Sequence, residues 1–397
     1  MPMTYDEKRA GCIRQMLVNT RLDGLICLLP ENLVLLAGYW PVIGHAAVIY
    51  PREGDPVIVA PVLDERALER ATVRDVRTFP VFKLDAPPPP ESLARMVADV
   101  LQEKGLAGRR LGFDGTFGDI SPTQKVLEPW VPSGETWALL RRASGGAEWI
   151  DISPHLAEQR ICKTEFEIER IRIACEIADF GLRAFREGVE EGKRETDLAA
   201  DIEAAIMREG TGYKGTLHAR GQAFVFSGVE RLYRHGWGVA PNTDRRLQPG
   251  DLVMVELSVV ADGYFADLAR MRVVGKATEA QREAYEACVA AQEAALAVIR
   301  RGVAAGEVDR AARDVFRRRG LGQAFVHLTG HGVGFRYHDG PPFLLPGVET
   351  PLDIGMVHSV EPGIYTPDLG GLRLEDDVVV TETGHEVLSK APRDLEG

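Results

Sequence analysis

A chain of 397 residues is long for a single hydrophobic core, so two domains are the expectation. Its 45% hydrophobic and 27% charged residues describe an ordinary globular protein, and a formal charge of −12 argues against nucleic acid or an anionic membrane, partners that call for basic stripes. The five cysteines (Cys12, Cys27, Cys162, Cys175, Cys288) are odd in number and widely spaced, without C-x-x-C, which fits reduced packing thiols in the cytoplasm. The opening MPMTYDEKRA has no basic region followed by an apolar one, and no stretch reaches the roughly 18 apolar residues of a membrane span.

Residues 1 to 155 alternate short apolar strands (DGLICLL, AAVIY, DPVIVAPV, RRLGFD) with helical stretches such as ESLARMVADVLQEKG, the alternation of an α/β domain. DAPPPPES, at 85–92, reads as a surface connection. A second domain, 156–397, follows DISPHLAEQR. Its first helix lies in KTEFEIERIRIACEIADFGLRAF, with Thr164 and Glu167 spaced as a capping box.

The second domain echoes itself. EGVEEGKRETDLAADI at 187–202 and RGVAAGEVDRAARDV at 301–315 each join two helical stretches. HGWGV from His235 matches HGVGF from His331, and GDLVMVE, ending at Glu256, matches GMVHSVE, ending at Glu361. Two copies about 100 residues apart suit a duplicated half-domain with a pseudo-twofold axis, across which matched residues face one another.

VMVELSVVADGYFADLAR, at 253–270, reads as a β-hairpin turning at Ala-Asp-Gly, with a carboxylate on each strand, Glu256 and Asp267. Read alone, both acids could lie on an exposed edge. The second copy, however, carries Glu361 with Glu375 as its hairpin partner, so four carboxylates and His331 converge on one centre. Four like charges within about 4–6 Å repel by several kcal/mol per pair, which calls for bound cations. One imidazole with hard oxygen donors and no thiolate suits Mn²⁺, Co²⁺, Zn²⁺ or Fe²⁺, and four negative charges balance two such ions.

HLTGHGVGFRYHD (327–339), SVEPGIY (359–365) and GLRLEDDVVVT (371–381), in this order, resemble the pita-bread metallopeptidases, in the branch of aminopeptidase P, prolidase and creatinase. The likeness covers nearly the whole chain and implies a creatinase-like α/β N-terminal domain followed by an α+β pita-bread domain with the internal pseudo-twofold repeat. By position it implies Glu256, Asp267, His331, Glu361 and Glu375 as ligands of two divalent metal ions, Mn²⁺ foremost. It implies His235 and His338 as substrate-facing histidines, His327 as the extra histidine of Xaa-Pro-cleaving members, and Arg373 as support for the last carboxylate and the substrate end. Glu361 becomes the proton shuttle for a metal-bridged hydroxide that cleaves an Xaa-Pro bond. The resemblance also implies a cytoplasmic homodimer acting on small peptides.

Two departures qualify it. The family's first ligand is usually Asp, whereas Glu256 reaches further by one C–C bond, ~1.5 Å. The Gly-rich HGWGVAPNTDRR after His235 is longer than is usual in peptidases. These leave open a creatinase-like small-molecule C–N hydrolase or osmolyte lyase, and a binding module that has lost catalysis. His45, His155, His218 and His385 match no motif, and strand alternation turns His358 away from Glu361.

Overall fold

The computed structural model describes residues 6–42, 44–81, 86–115, 133–238 and 240–396. The chain divides into two compact units, Met1–Arg160 and Ile161–Gly397. The expected boundary at residue 155 lies inside a helix that runs from Ser153 to Ile161.

The first unit is a six-stranded mixed sheet with β1 (Gly24–Cys27), β2 (Ala47–Pro51), β3 (Val57–Pro61), β4 (Asp75–Phe79), β5 (Arg110–Phe113) and β6 (Glu148–Asp151), in the order β4-β3-β2-β1-β5-β6. Its helices are α1 (Glu7–Asn19), α2 (Pro30–Ala37), α3 (Glu65–Leu68), α4 (Pro89–Glu103), α5 (Gly134–Ala143) and α6 (Ser153–Ile161). The DGLICLL and AAVIY runs are buried along their whole strands, as strands covered on both faces must be. The proline run is only partly a connection: Pro89 and Pro90 already form the first turn of α4, where their fixed φ and missing N–H cost nothing. Residue 85, at the start of that run, lies outside the described residues.

Just past β5, Asp114 is 1% exposed and accepts hydrogen bonds from the backbone of Leu28 and Leu29, at 3.0 and 2.8 Å, and from the Asn32 side chain at 3.0 Å. One carboxylate thereby joins the end of β1 to the first turn of α2.

The second unit opens with α7 (Glu165–Gly188), whose Thr164–Glu167 capping box forms as the spacing requires, and α8 (Glu195–Gly210). Next come β7 (Ala219–Ser227), α9 (Val229–His235), β8 (Leu252–Ala261) and β9 (Tyr264–Val273), the strands ordered β7-β8-β9 and antiparallel. Two further helices, α10 (Glu279–Val298) and α11 (Ala305–Arg318), are followed by β10 (Val357–Val360), β11 (Gly363–Thr366), β12 (Gly370–Arg373), β13 (Asp376–Val380) and β14 (His385–Val387). The helix pair thus precedes the strands twice, and α10 also starts with a capping box, Thr278 with Gln281. Apolar residues of β8, β9, α10, α11 and β10 to β13 share one core.

The segment from Pro241 to Leu247 is tied down rather than free. Glu195, fully buried, accepts from the Thr243 backbone and hydroxyl and from Ser227 and Arg231, while Asn242 bonds both ways with β7. No described helix is long and apolar enough to cross a membrane.

Candidate metal centre

β8 and β9 are joined through Asp262 and Gly263, both at positive φ (47° and 93°), the two-residue turn whose twist suits adjoining strands. Asp262 tolerates this because its carboxylate accepts from the backbone of Leu217 and His218. The register pairs Glu256 with Ala269 and Ser258 with Asp267, so the two acids are diagonal neighbours on one face. β8 is the central strand, and Glu256 and Asp267 are 5% and 1% exposed. The exposed-edge reading is therefore excluded.

The second pair is assembled differently from the expected hairpin. β10 and β13 are antiparallel, with Val360 opposite Asp376, but the β11–β12 hairpin is inserted between them. Glu361 and Glu375 sit just beyond the last ladder pair. Glu375 is drawn to the first pair by its backbone N–H, which donates to the carbonyl of Ala269 at 3.2 Å, while Arg270 holds the Glu375 carbonyl at 2.6 Å. His331 crosses the same space on a segment bridged to both sides, Gly330 to Leu344 and Gly332 to His358. A Cβ on Gly330 would stand 2.0 Å from the Ser359 carbonyl oxygen, so only glycine permits this approach.

These constraints bring the donors together. One ligand atom from each member of three sets lies within 4.8 Å of the others: Glu256, Asp267 and Glu375; His331, Glu361 and Glu375; Asp267, His331 and His338. His331 Nδ1 donates to the Gly332 carbonyl at 3.0 Å, which leaves the Nε2 lone pair inward, 3.4 Å from Asp267 Oδ2 and from Glu361 Oε1. Ser359 ties two of these groups: its hydroxyl donates to Glu361 Oε1 at 3.2 Å and accepts from the His331 backbone at 3.1 Å.

Electron pairs thus face electron pairs. Among the described residues, neither oxygen of Asp267 or of Glu375 has a hydrogen-bond partner. Burial, then the charges of neighbouring carboxylates, raises both carboxyls well above the usual range; burial raises Glu361 to about 7 against the pull of Arg373, and lowers His331 to about 4. Buried acceptors without donors are what a cation would satisfy, so hard oxygens with one neutral imidazole fit divalent metal.

The remaining expected residues differ in placement. The His338 ring stands edge-on to His331, centroids 4.1 Å apart, with its Nδ1 buried and unpartnered; burial lowers it to about 2. His327 bonds Tyr365 through Nε2 at 3.0 Å and the Leu328 carbonyl through Nδ1 at 2.7 Å. Arg373, 3% exposed, pairs with Glu256 and lies 3.7 Å from Glu361. His235 is exposed at the end of α9, and among the described residues its ring makes no hydrogen bond or ring contact with the cluster. His358 is buried, with Nδ1 on the Ser359 carbonyl, and joins none of the three donor sets.

The model of metallopeptidase family M24 matches residues 169–382, more than half of the chain. The chain belongs to this family. It is 40% identical over 258 residues to an Xaa-Pro dipeptidase of Pyrococcus furiosus, covering 64% of this chain and 70% of the relative. Among solved structures it is similar to the prolidase from Pyrococcus horikoshii OT3 (TM-score 0.76, 27% identity, 98% of this chain and 99% of that one). It is also similar to the prolidase from Pyrococcus furiosus (TM-score 0.73, 30% identity, 96% and 100%).

The M24 centre also contains residues that sequence reasoning passed over. The Tyr337 hydroxyl donates to Glu256 Oε1, and the same residue lies inside the quoted HGVGFRYHD segment, beside His338. Lys163 pairs with Asp339 at 3.4 Å, both side chains fully buried, and so anchors the chain just after His338. Asp377 accepts from the Asp267 backbone at 2.9 Å and from the Cys175 thiol. Arg313 holds the carbonyls of Phe325 and His327 while pairing with Asp309, which accepts from Thr329. The only sequence signal for these was proximity to the motifs, or none.

Proposed function

We propose that this M24 metallopeptidase is a dinuclear-metal hydrolase of the Xaa-Pro peptide bond. The observation that carries the reading is that all four oxygens of Asp267 and Glu375 lack donors among the described residues, with Asp267 Oδ2 3.4 Å from the Nε2 of His331. The named relatives and structural neighbours, an Xaa-Pro dipeptidase and two prolidases, support the substrate class.

Asp267, His331, Glu361 and Glu375 would hold one ion, and Glu256, Asp267 and Glu375 the other; Mn²⁺ suits the oxygen-rich set, and Co²⁺, Zn²⁺ or Fe²⁺ is compatible. Divalent ions held there would supply Lewis acidity toward water and the scissile carbonyl. Glu361, oriented by Ser359, takes the proton from the attacking water and passes it to the leaving nitrogen, which in proline peptides is tertiary and departs as a secondary amine. His338, whose Nδ1 has no partner among the described residues, hydrogen-bonds the carbonyl oxygen as it gains charge. His327 and Tyr365 form a bonded pair, and it is assigned with Arg373 to the substrate end on the resemblance. His235, exposed on α9, is assigned to substrate contact on the resemblance alone.

We further read residues 1–155 as the creatinase-like domain and 156–397 as a pita-bread domain whose twice-repeated helix pair and strands reflect a pseudo-twofold axis, in a cytoplasmic homodimer. Purified protein loaded with Mn²⁺ or Co²⁺ is expected to release proline from Gly-Pro, Ala-Pro or longer Xaa-Pro peptides. No release under any metal rejects the peptidase reading, and near-zero bound metal in protein prepared without chelator favours a creatinase-like reaction.

A further inference from the structure

The carboxylates of the centre are unequally provided for. Among the described residues, Asp267 and Glu375 have no donor on any oxygen, whereas Glu256 has one on each, the Tyr337 hydroxyl on Oε1 and the Arg373 guanidinium on Oε2. Tyr337 comes from the stretch between His331 and His338; its ring centroid lies 4.4 Å from His338 and 6.4 Å from His331, and it is 6% exposed. The ring is thus held by packing and its hydroxyl stands at a fixed point. Glu256 extends one methylene, ~1.5 Å, further than an aspartate would from the same backbone position. That extra length is what carries Oε1 to the phenol.

We infer that Tyr337 is a positioning residue matched to Glu256: its hydroxyl fixes the longer carboxylate against the cation position that Glu256 shares with Asp267 and Glu375. A charge-assisted bond from a packed phenol removes the rotational freedom that the additional methylene introduces. Partners of this kind typically change metal affinity by about 10–100-fold. An aspartate at 256 would be retracted from the hydroxyl and indifferent to it.

This inference rests on the cluster being a cation site, and metal binding rather than turnover is its readout. The chelator-stripped full chain, Tyr337→Phe, Glu256→Asp and the double variant are titrated with Mn²⁺ by calorimetry. Tyr337→Phe, which keeps the ring, is expected to weaken one of two binding events about tenfold or more and to leave the other within about threefold, the retained event showing that the variant is folded. In the Glu256→Asp background the same substitution is expected to change neither event by more than about twofold. An equal loss in both backgrounds, or none in either, overturns the pairing. If Phe is not tolerated, Tyr337→Met is read in the same way. Absence of all binding in the unsubstituted protein instead overturns the cation site itself.

Discussion

Asp114 in the first unit and Asp267 in the second are both buried carboxylates, 1% exposed each, yet they are treated in opposite ways. Asp114 is enclosed by donors from Leu28, Leu29 and Asn32, and Asn32 is in turn held by Arg160 at 2.7 Å. The Asp267 side chain receives none among the described residues, and the carboxylates of Glu256 and Glu375 and the Nε2 of His331 lie around it. Burial raises Asp114 to about 7 despite its donors; burial also raises Asp267 well above the usual carboxylate range, with the charges of Glu256 and Glu361 adding to it. A carboxylate that the chain satisfies itself is a structural joint. One surrounded by further carboxylates is incomplete without a cation.

The contrast is broken most severely by Asp267→Asn. In the metal-loaded enzyme it is expected to empty at least one ion position and cut turnover by about 10³-fold, several kcal/mol of transition-state stabilisation. In the chelator-stripped protein the same change is expected to raise thermal stability by about 1–2 kcal/mol near pH 8, because one of the crowded charges is gone. Elemental analysis and paired melting curves check both; a stripped Asp267→Asn protein less stable than the parent contradicts the account. Glu361→Gln is expected to keep its metal, since an amide oxygen still coordinates, while kcat falls about 10²- to 10⁴-fold. Unchanged kcat removes Glu361 from proton transfer.

Asp114→Ala should behave in the reverse sense, with metal content unchanged and stability reduced by about 1–3 kcal/mol through the donors left buried and unpaired. A carboxyl whose folded pKa is raised binds its proton more tightly in the folded chain, so its stabilising contribution is complete below the unfolded value, about 4, and is lost as pH rises through the folded value. For Glu361 that window runs to about 7. Stripped protein is therefore expected to lose melting temperature from pH 5 to 7.5, and Mn²⁺-loaded protein to lose less. Asp114, with the same folded value, contributes equally to both curves and cancels in their difference. Parallel curves would remove the cluster as the cause.

What could be read from the sequence follows the range of the interactions. The capping box at Thr164 and the turn at Asp262-Gly263 depend on neighbours within a few residues, and both form as their spacing requires. The shared face of Glu256 and Asp267 follows from strand alternation once the turn is fixed. The juxtaposition of Glu361 and Glu375 was legible only in part. Their ladder is interrupted by β11 and β12, and the link that brings Glu375 to β9 joins residues more than 100 positions apart. Nothing local marks Tyr337 as the partner of Glu256, or Asp114 as the joint between β1 and α2, because each depends on where distant backbone happens to pass. His235 was assigned to substrate contact by a motif match, and the fold places it exposed at the end of α9, outside the three donor sets.

The turn at Asp262 and Gly263 has a further consequence. Side chains alternate along a strand with a period of two, so a slip of the β8–β9 pairing by one residue would rotate one of the two acids to the opposite face of the sheet. Asp262, with its carboxylate fastened to the backbone of Leu217 and His218 and to Arg170, acts as an index mark that permits a single alignment of the two strands. Lengthening this loop by one residue would alter no ligand, yet it would undo the meeting of Glu256 and Asp267 as surely as deleting either of them.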